Sequence, residues 1–228
     1  MARHRSRRYQ KGATQVERSK RYPLQEGIDL IKSLQGPKFD ESVELAVRIG
    51  IDPKKTDQLV RGSVSLPNGT GKSVKIAVFA DGAKAQEALD AGADFVGAAD
   101  LAEKIEKGFA DFDMTIASPD MMRFVGKLGK VLGPQGKMPS PKAGTVTPNV
   151  AQAVKEFKAG KIEFRTDSGA NVHAAIGKKS FAAGDLADNV TAFVDHLRSL
   201  RPSQAKGSFI KKVVVSSSMG PGIALAVE

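Results

Sequence analysis

The spacing of apolar residues changes period twice along this chain, and that change limits the folds open to it. Over residues 42–52, Val43, Leu45, Val47, Ile49 and Ile51 alternate with polar or small residues, the pattern of a strand with one face on a core. Residues 58–66 continue in strand fashion through Val60, Val64 and Leu66 to the turn Pro67-Asn68-Gly69-Thr70-Gly71, and are expected to pair with 42–52. From residue 73 the pattern becomes strand and helix in alternation. SVKIAVFA reads as a strand and AKAQEALDAG as a helix ending in glycine; DFVGAADLAEKIEKG reads as a short strand and second helix, and DFDMTIAS as a strand leading through Pro119-Asp120 into a helix. Strands separated by helices imply a parallel, three-layer α/β unit. After Gly160 the period of two returns in KIEFRTD and NVHAAIGK, joined by Ser168-Gly169-Ala170.

The remaining segments follow from the same rules. Leu24, Ile28, Ile31 and Leu34 fall at helical spacing before Gly36-Pro37 stops them, and Asn149 is placed to cap a helix carrying Val150, Ala153, Val154 and Phe157. Residues 185–200 form an amphipathic helix, with strands at 209–216 and 223–227 after it. The fold class expected is therefore mixed α/β and α+β. Residues 1–67 and 160–228 make one discontinuous α+β domain, and residues 68–159 are inserted as a three-layer α/β domain.

Charge divides the chain in the same way. The net charge is +10, and residues 1–22 hold eight Lys or Arg against the single Glu17. Residues 68–120 instead hold five Lys and ten Asp or Glu. A basic balance of this size points to an acidic partner, of which nucleic acid is the commonest. The basic arm at the N-terminus either lies on phosphates or stays disordered until a partner orders it. No run of eighteen apolar residues and no apolar segment after the first charges is present, so neither a membrane span nor a secretory signal is expected. With no cysteine, disulfides, zinc knuckles and thiol catalysis are excluded, and the Asn-x-Thr sequons at Asn68 and Asn189 read as coincidence.

Residues 126–146, GKLGKVLGPQGKMPSPKAGTV, are the densest in glycine, proline and lysine, and no Asp or Glu occurs from Met121 to Lys155. The stretch reads equally as an ordered basic loop that a polyanion can approach or as a solvated linker. It contains neither G-x-x-x-x-G-K-[ST] nor G-x-G-x-x-G, so it is no nucleotide fingerprint. His4, His173 and His196 lack metal-ligand spacing and read as structural; Asp111-Phe112-Asp113 reads as a strand edge exposing two acids rather than a cation site. Phe39, entering the first strand, either caps the core, the default, or stands exposed for stacking on a nucleotide. Ser216-Ser217-Ser218-Met219-Gly220-Pro221-Gly222 either donates to phosphate and ribose or is an ordinary serine-glycine turn.

KFDESVELAVRIGIDPKKTDQLVRGSVSLPNGTGK, GADFVGAADLAEKI, GKLGKVLGPQGKMPSPKAGTVTPNV, GKIEFRTDSGANVHAAIGK and SSSMGPG together resemble the bacterial form of the ribosomal protein L-one family. The likeness runs from about Tyr9 to Glu228. It implies a domain built from both chain ends and an inserted Rossmann-like domain, with hinge motion near residues 66–72 and 157–161. It also implies a structural RNA-binding protein rather than an enzyme, monomeric when free, cytoplasmic on the ribosome, and needing no cofactor, metal or membrane. The partners implied are the 23S rRNA stalk segment, exit-site tRNA whose release the protein assists, the rest of the large ribosomal subunit, and the protein's own mRNA leader, which it represses. Carried onto this chain, the RNA surface comprises Lys38, Phe39, Ser42, Glu44, Arg165, Asp167, Ser218, Met219 and Gly220. Glu44 and Asp167 would either accept from 2′-OH or base amino groups or, the favoured role, orient Lys38 and Arg165, and Lys127, Lys130 and Lys137 would be peripheral or face the cleft. The family commonly has threonines where Ser216 to Ser218 stand. The alternative from another class is an α/β enzyme or binding domain that holds a phosphorylated ligand on the basic loop 126–146.

Overall fold

The computed structural model describes residues 5–55, 57–205 and 207–226. In chain order the helices are α1 (Arg7–Thr14), α2 (Leu24–Ser33), α3 (Ala83–Asp90), α4 (Ala99–Glu106), α5 (Met122–Lys127), α6 (Gly129–Leu132), α7 (Val150–Lys158) and α8 (Ala183–Ser199). The strands are β1 (Ser42–Ile49), β2 (Arg61–Ser65), β3 (Ile76–Phe79), β4 (Phe95–Gly97), β5 (Met114–Ala117), β6 (Lys161–Arg165), β7 (Asn171–Lys178), β8 (Ile210–Ser217) and β9 (Ile223–Leu225). They form two compact units, Met1–Gly71 with Ile162–Glu228, and Lys72–Lys161. His4 and Val227, assigned above to a tail and a strand, lie outside the described residues.

In the first unit β1 is central in a sheet of order β7-β1-β8-β9. It runs antiparallel to β7, with Ser42 opposite Lys178 and Arg48 opposite Asn171, and antiparallel to β8, with Glu44 opposite Ser216. Val43, Leu45, Val47 and Ile49 are buried on one face together with Val172, Ile176, Val213 and Val215. Ile28 and Ile31 of α2 and Leu186, Val190, Phe193 and Leu197 of α8 close over that face. Such a layer sets the register, because a one-residue slip would turn the whole apolar set into water.

One pairing differs from the sequence reading. Residues 58–66 do not pair with β1; β2 instead pairs with β6 in a separate two-stranded sheet. β1 has eight residues to match on each edge, which β7 and β8 supply and the five-residue β2 does not. β6 and β7, expected as two strands joined by 168–170, meet only at that turn. They share the turn at 167–171, a Thr166–Val172 bridge and the bond from the Asp167 N–H to the Asn171 carbonyl (2.8 Å), then diverge to different partners.

The N-terminal segment, read as an arm that lies on phosphates or stays disordered until a partner orders it, is folded from residue 5. Ser6 Oγ caps α1 by accepting from the Tyr9 N–H (3.3 Å). Val16 and Tyr22 are buried, and Tyr22 exchanges backbone bonds of 2.8 Å with Ala224 and Ala226. Residues with a few apolar anchors and a docking edge have an alternative to disorder, which the charge count hid.

The second unit is a parallel sheet of order β4-β3-β5. Ala77, Phe79 and Ala117 face Leu101, Ile105, Val125, Leu128 and Leu132 from α4, α5 and α6, while Ile76, Val78 and Ile116 face Ala88, Val154 and Phe157 from α3 and α7. Asn149 Oδ1 caps α7 by accepting from the Gln152 N–H (3.2 Å). The stretch 126–146 is not one loop. Its first third is mostly helical, the end of α5 and all of α6, with Val125, Leu128 (between the two helices) and Leu132 at helical spacing and buried; the irregular part begins at Gly133-Pro134. Val146 then bridges in parallel to Ala117 at the sheet edge.

One buried polar residue holds the first unit together at several points. Asn189 of α8 lies fully buried in the apolar stripe; its amide donates to the carbonyls of Ile176 (2.8 Å) and Gly69 (3.0 Å), and its oxygen accepts from the Asn68 N–H (3.1 Å). Being buried, Asn189 is closed to glycosylation. Asn189→Ala strands the Ile176 carbonyl, and a loss of about 1–3 kcal/mol is expected. Urea unfolding should show a lower midpoint at unchanged slope, with Asp188→Ala on the exposed side of the same helix as the neutral control.

Candidate nucleic-acid interface

Residues 41, 43, 45, 47 and 49 share one parity, and all five face inward. At the first of these positions the chain carries a carboxylate. Glu41 is 2% exposed, and a charge so placed must be met by donors. Its Oε1 accepts from the Met219 N–H (2.8 Å) and from Ser217 Oγ (3.1 Å), and Lys179 Nζ stands 3.5 Å from Oε2. Through these contacts the start of β1 holds the turn that follows β8.

The next residue adds a second set of ties. Ser42 N–H donates to Ser218 Oγ (3.1 Å), the Ser218 N–H donates to the Ser42 carbonyl (3.0 Å), and Lys178 Nζ donates to Ser42 Oγ (2.9 Å). The Gly220 N–H closes the turn on the Ser217 carbonyl (3.1 Å). A Cβ on Gly220 would stand 2.5 Å from Ser217 Oγ, the hydroxyl already engaged by Glu41, so this position requires glycine.

Phe39 is not a core residue. It is 54% exposed, Met219 is 52% exposed, and both are among the large hydrophobic side chains left open to water. The reason lies in its neighbours. Asp40 is held by the Ser180 N–H (3.2 Å) and Ser180 Oγ (2.7 Å), and Glu41 points inward, so the bend before β1 turns Phe39 outward. Lys38 beside it is exposed.

The structure therefore gathers Ser42, Ser218, Met219 and Gly220, with Lys38 and Phe39 alongside, at one end of the sheet. Glu44 follows on the outer face opposite Ser216 and Ala175. Arg165 and Asp167 do not join them. Asp167 serves the turn beside Asn171, which pairs with Arg48 near the far end of β1, more than about 20 Å away at the rise of a strand. Nor do the acids orient the cations as expected: among the described residues no ion pair joins Glu44 to Lys38 or Asp167 to Arg165. Asp167 is occupied by its own turn, where it accepts from the N–H groups of Asn171 (2.7 Å) and Gly169 (2.8 Å). The Asn171 N–H, then the Asn171 side-chain amide, hold its carboxyl below the usual range, aided by Gly169 and by His173 at 3.4 Å.

In the second unit Lys127 and Lys130 are exposed on α5 and α6. Lys137 is not free, because its Nζ lies 4.8 Å over the Phe112 ring and donates to the Ala110 carbonyl (3.1 Å). Asp111 and Asp113 are paired with Lys75 (2.8 Å) and Lys72 (2.6 Å), and no cluster suited to a metal ion occurs among the described residues. No described helix is long and apolar enough to cross a membrane.

Residues 30–221, which include every member of this end of the sheet, match the sequence profile of the ribosomal protein L1p/L10e family. The chain belongs to that family. It is 53% identical to the large ribosomal subunit protein uL1 of Kosmotoga olearia, over 97% of this chain and 96% of that one. The proteins of the same name from Thermosipho melanesiensis and Thermosipho africanus are 54% and 56% identical, each over 96% of this chain and 94% of theirs.

In this L1-family chain three residues of the site were missed by sequence reasoning: Glu41, Lys178 and Lys179. Glu41 carried a signal, since its parity with Val43 and Leu45 marks a buried acid in need of donors. The two lysines carried none, because the β1–β7 register that brings them to Ser42 and Glu41 is a tertiary fact.

Asp167, with its carboxyl pKa depressed by folding, stabilises the native state above the unfolded-state value of about 3.9 and loses that contribution as pH falls through the folded value. The destabilisation caused by Asp167→Ala should accordingly be larger at neutral pH than well below pH 4. Equal losses in denaturant titrations at both would contradict the assignment.

Proposed function

We propose that this chain is a structural component of the large ribosomal subunit, working in the cytoplasm on the ribosome, that binds the stalk segment of 23S rRNA through the sheet end carrying Lys38, Phe39, Ser42, Ser218, Met219 and Gly220. One observation carries the reading: two large apolar side chains, Phe39 and Met219, stand in water beside a turn of hydroxyls and glycine. Folded proteins gain nothing from that exposure when free, whereas ribose and base faces offer apolar contact and 2′-OH groups offer hydrogen bonds. Glu44 extends the surface along the outer face of the sheet and accepts from 2′-OH or base amino groups, while Arg165 at the end of β6 and Asp167 in the turn after it make a separate contact with the same RNA.

The finer roles belong to the same proposal. Release of deacylated tRNA from the exit site, and repression of translation by binding an mRNA leader that imitates the rRNA site, both draw on the one RNA surface. Membership of the L1 family makes the chain a ribosomal protein and not an enzyme. A phosphorylated ligand on residues 126–146 has less support, since part of that stretch is helix and Lys137 is committed to Phe112.

Long-range attraction comes from the basic surface and falls with salt, while recognition by the neutral groups persists. Filter-binding titrations of a 23S rRNA stalk fragment at two salt concentrations test the reading. Ser218→Val should weaken binding by about 1–3 kcal/mol, the penalty of leaving a buried partner unsatisfied. Equal binding by this variant removes Ser218 from the site. Phe39→Ala should lower affinity with little change in melting temperature, because the ring is exposed; a lower melting temperature at unchanged affinity would assign Phe39 to stability alone.

A further inference from the structure

We propose that Glu41 is a positioning residue for RNA binding: its buried carboxylate fixes the backbone of turn 217–220, so that Ser218 and Met219 are presented in their bound arrangement before RNA arrives. The inference rests on the reading above, in which that turn touches RNA.

The geometry separates two tasks that a buried acid could perform. Toward Lys179, Glu41 is half of a buried ion pair with N···O 3.5 Å, looser than a charge-assisted hydrogen bond. Lys179 Nζ has another partner, the Leu34 carbonyl. Toward the turn the contacts are shorter, 2.8 Å from the Met219 N–H and 3.1 Å from Ser217 Oγ. The Met219 N–H is the backbone donor directly between the two exposed groups of the site. A segment of serine, methionine and glycine has little intrinsic preference for one shape, and its ordering would otherwise oppose association. Glu41 supplies that order from beneath while touching no RNA itself, since it is 2% exposed.

Gly36 provides an independent handle on the same carboxylate. A Cβ there would stand 2.7 Å from Glu41 Oε2 and 3.3 Å from Lys179 Nζ. Gly36→Ala therefore displaces the carboxylate without altering any residue of the turn.

The experiment measures affinity of the full-length chain for the 23S rRNA stalk fragment, alongside melting temperature and hydrogen exchange of the Met219 amide. Glu41→Gln keeps an oxygen to accept from Met219 and Ser217 but loses the charge facing Lys179. It should melt lower yet bind within about twofold of wild type. Glu41→Met removes the acceptor, and binding should weaken by about tenfold or more at an unchanged salt slope, because no phosphate contact is lost. Met219 exchange should quicken in Glu41→Met and Gly36→Ala, and Gly36→Ala should bind measurably more weakly than wild type. If Glu41→Met folds and binds like wild type, or Glu41→Gln falls as far as Glu41→Met, Glu41 is a structural ion pair only and the proposal is overturned. If Glu41→Met does not fold, unchanged affinity in Gly36→Ala overturns it equally. Failure of wild type to bind the fragment, or wild-type binding by both Ser218→Val and Met219→Ala, instead defeats the assignment of the turn to RNA.

Discussion

The first unit depends on one strand being paired on both edges by the far end of the chain. β1 lies between β7 and β8, and the bond from the Ser42 N–H to Ser218 spans 176 residues of sequence. Closing such a loop costs entropy that grows only slowly with its length, so an intervening unit of any size is tolerated if it brings its own ends together. The second unit carries a parallel sheet and two apolar layers of its own, so its fold does not draw on the first unit's core. The discontinuity of the first unit and the independence of the second are thus one constraint seen from two sides.

The same pairing explains why the proposed recognition surface sits where it does. A strand flanked on both sides leaves its ends, not its edges, for contact with other molecules. At the Ser42 end, the approach to β1 and the departure from β8 are bonded to each other through Ser42, Ser218 and Glu41. Residues from opposite ends of the sequence become one rigid platform. Sites on packed strands hold their geometry better than sites on loops, and here even the loop is tied to the strand beneath it.

Much of this was legible in the amino-acid sequence, and the failures share a cause. Period-two and period-3.6 patterns located β1, α8 and the βα alternation because burial of one face acts locally on the chain. Which strand pairs with which is decided by length and by complementary faces across the fold, so residues 58–66 were assigned to β1 although β2 pairs with β6. Hydrophobicity alone left Phe39 open between core and surface, with core as the default, whereas the side-chain ties of Asp40 and the parity of Glu41 decide its direction. Charge misled twice. The basic N-terminus looked free although Val16 and Tyr22 anchor it, and Lys137 looked available although Phe112 holds it. In both cases a few apolar contacts outweigh a formal charge that the composition emphasises.

The pair of exposed apolar residues has a colloidal consequence. Phe39 and Met219 would, on a neutral surface, invite one molecule to stick to the next. A net charge of +10 makes every copy repel every other at distances beyond the reach of those two side chains. The same charge that draws a polyanion toward the surface keeps identical molecules apart before one is found. Raising the ionic strength removes both effects at once, so salt weakens capture of the partner and also lowers the barrier to self-association.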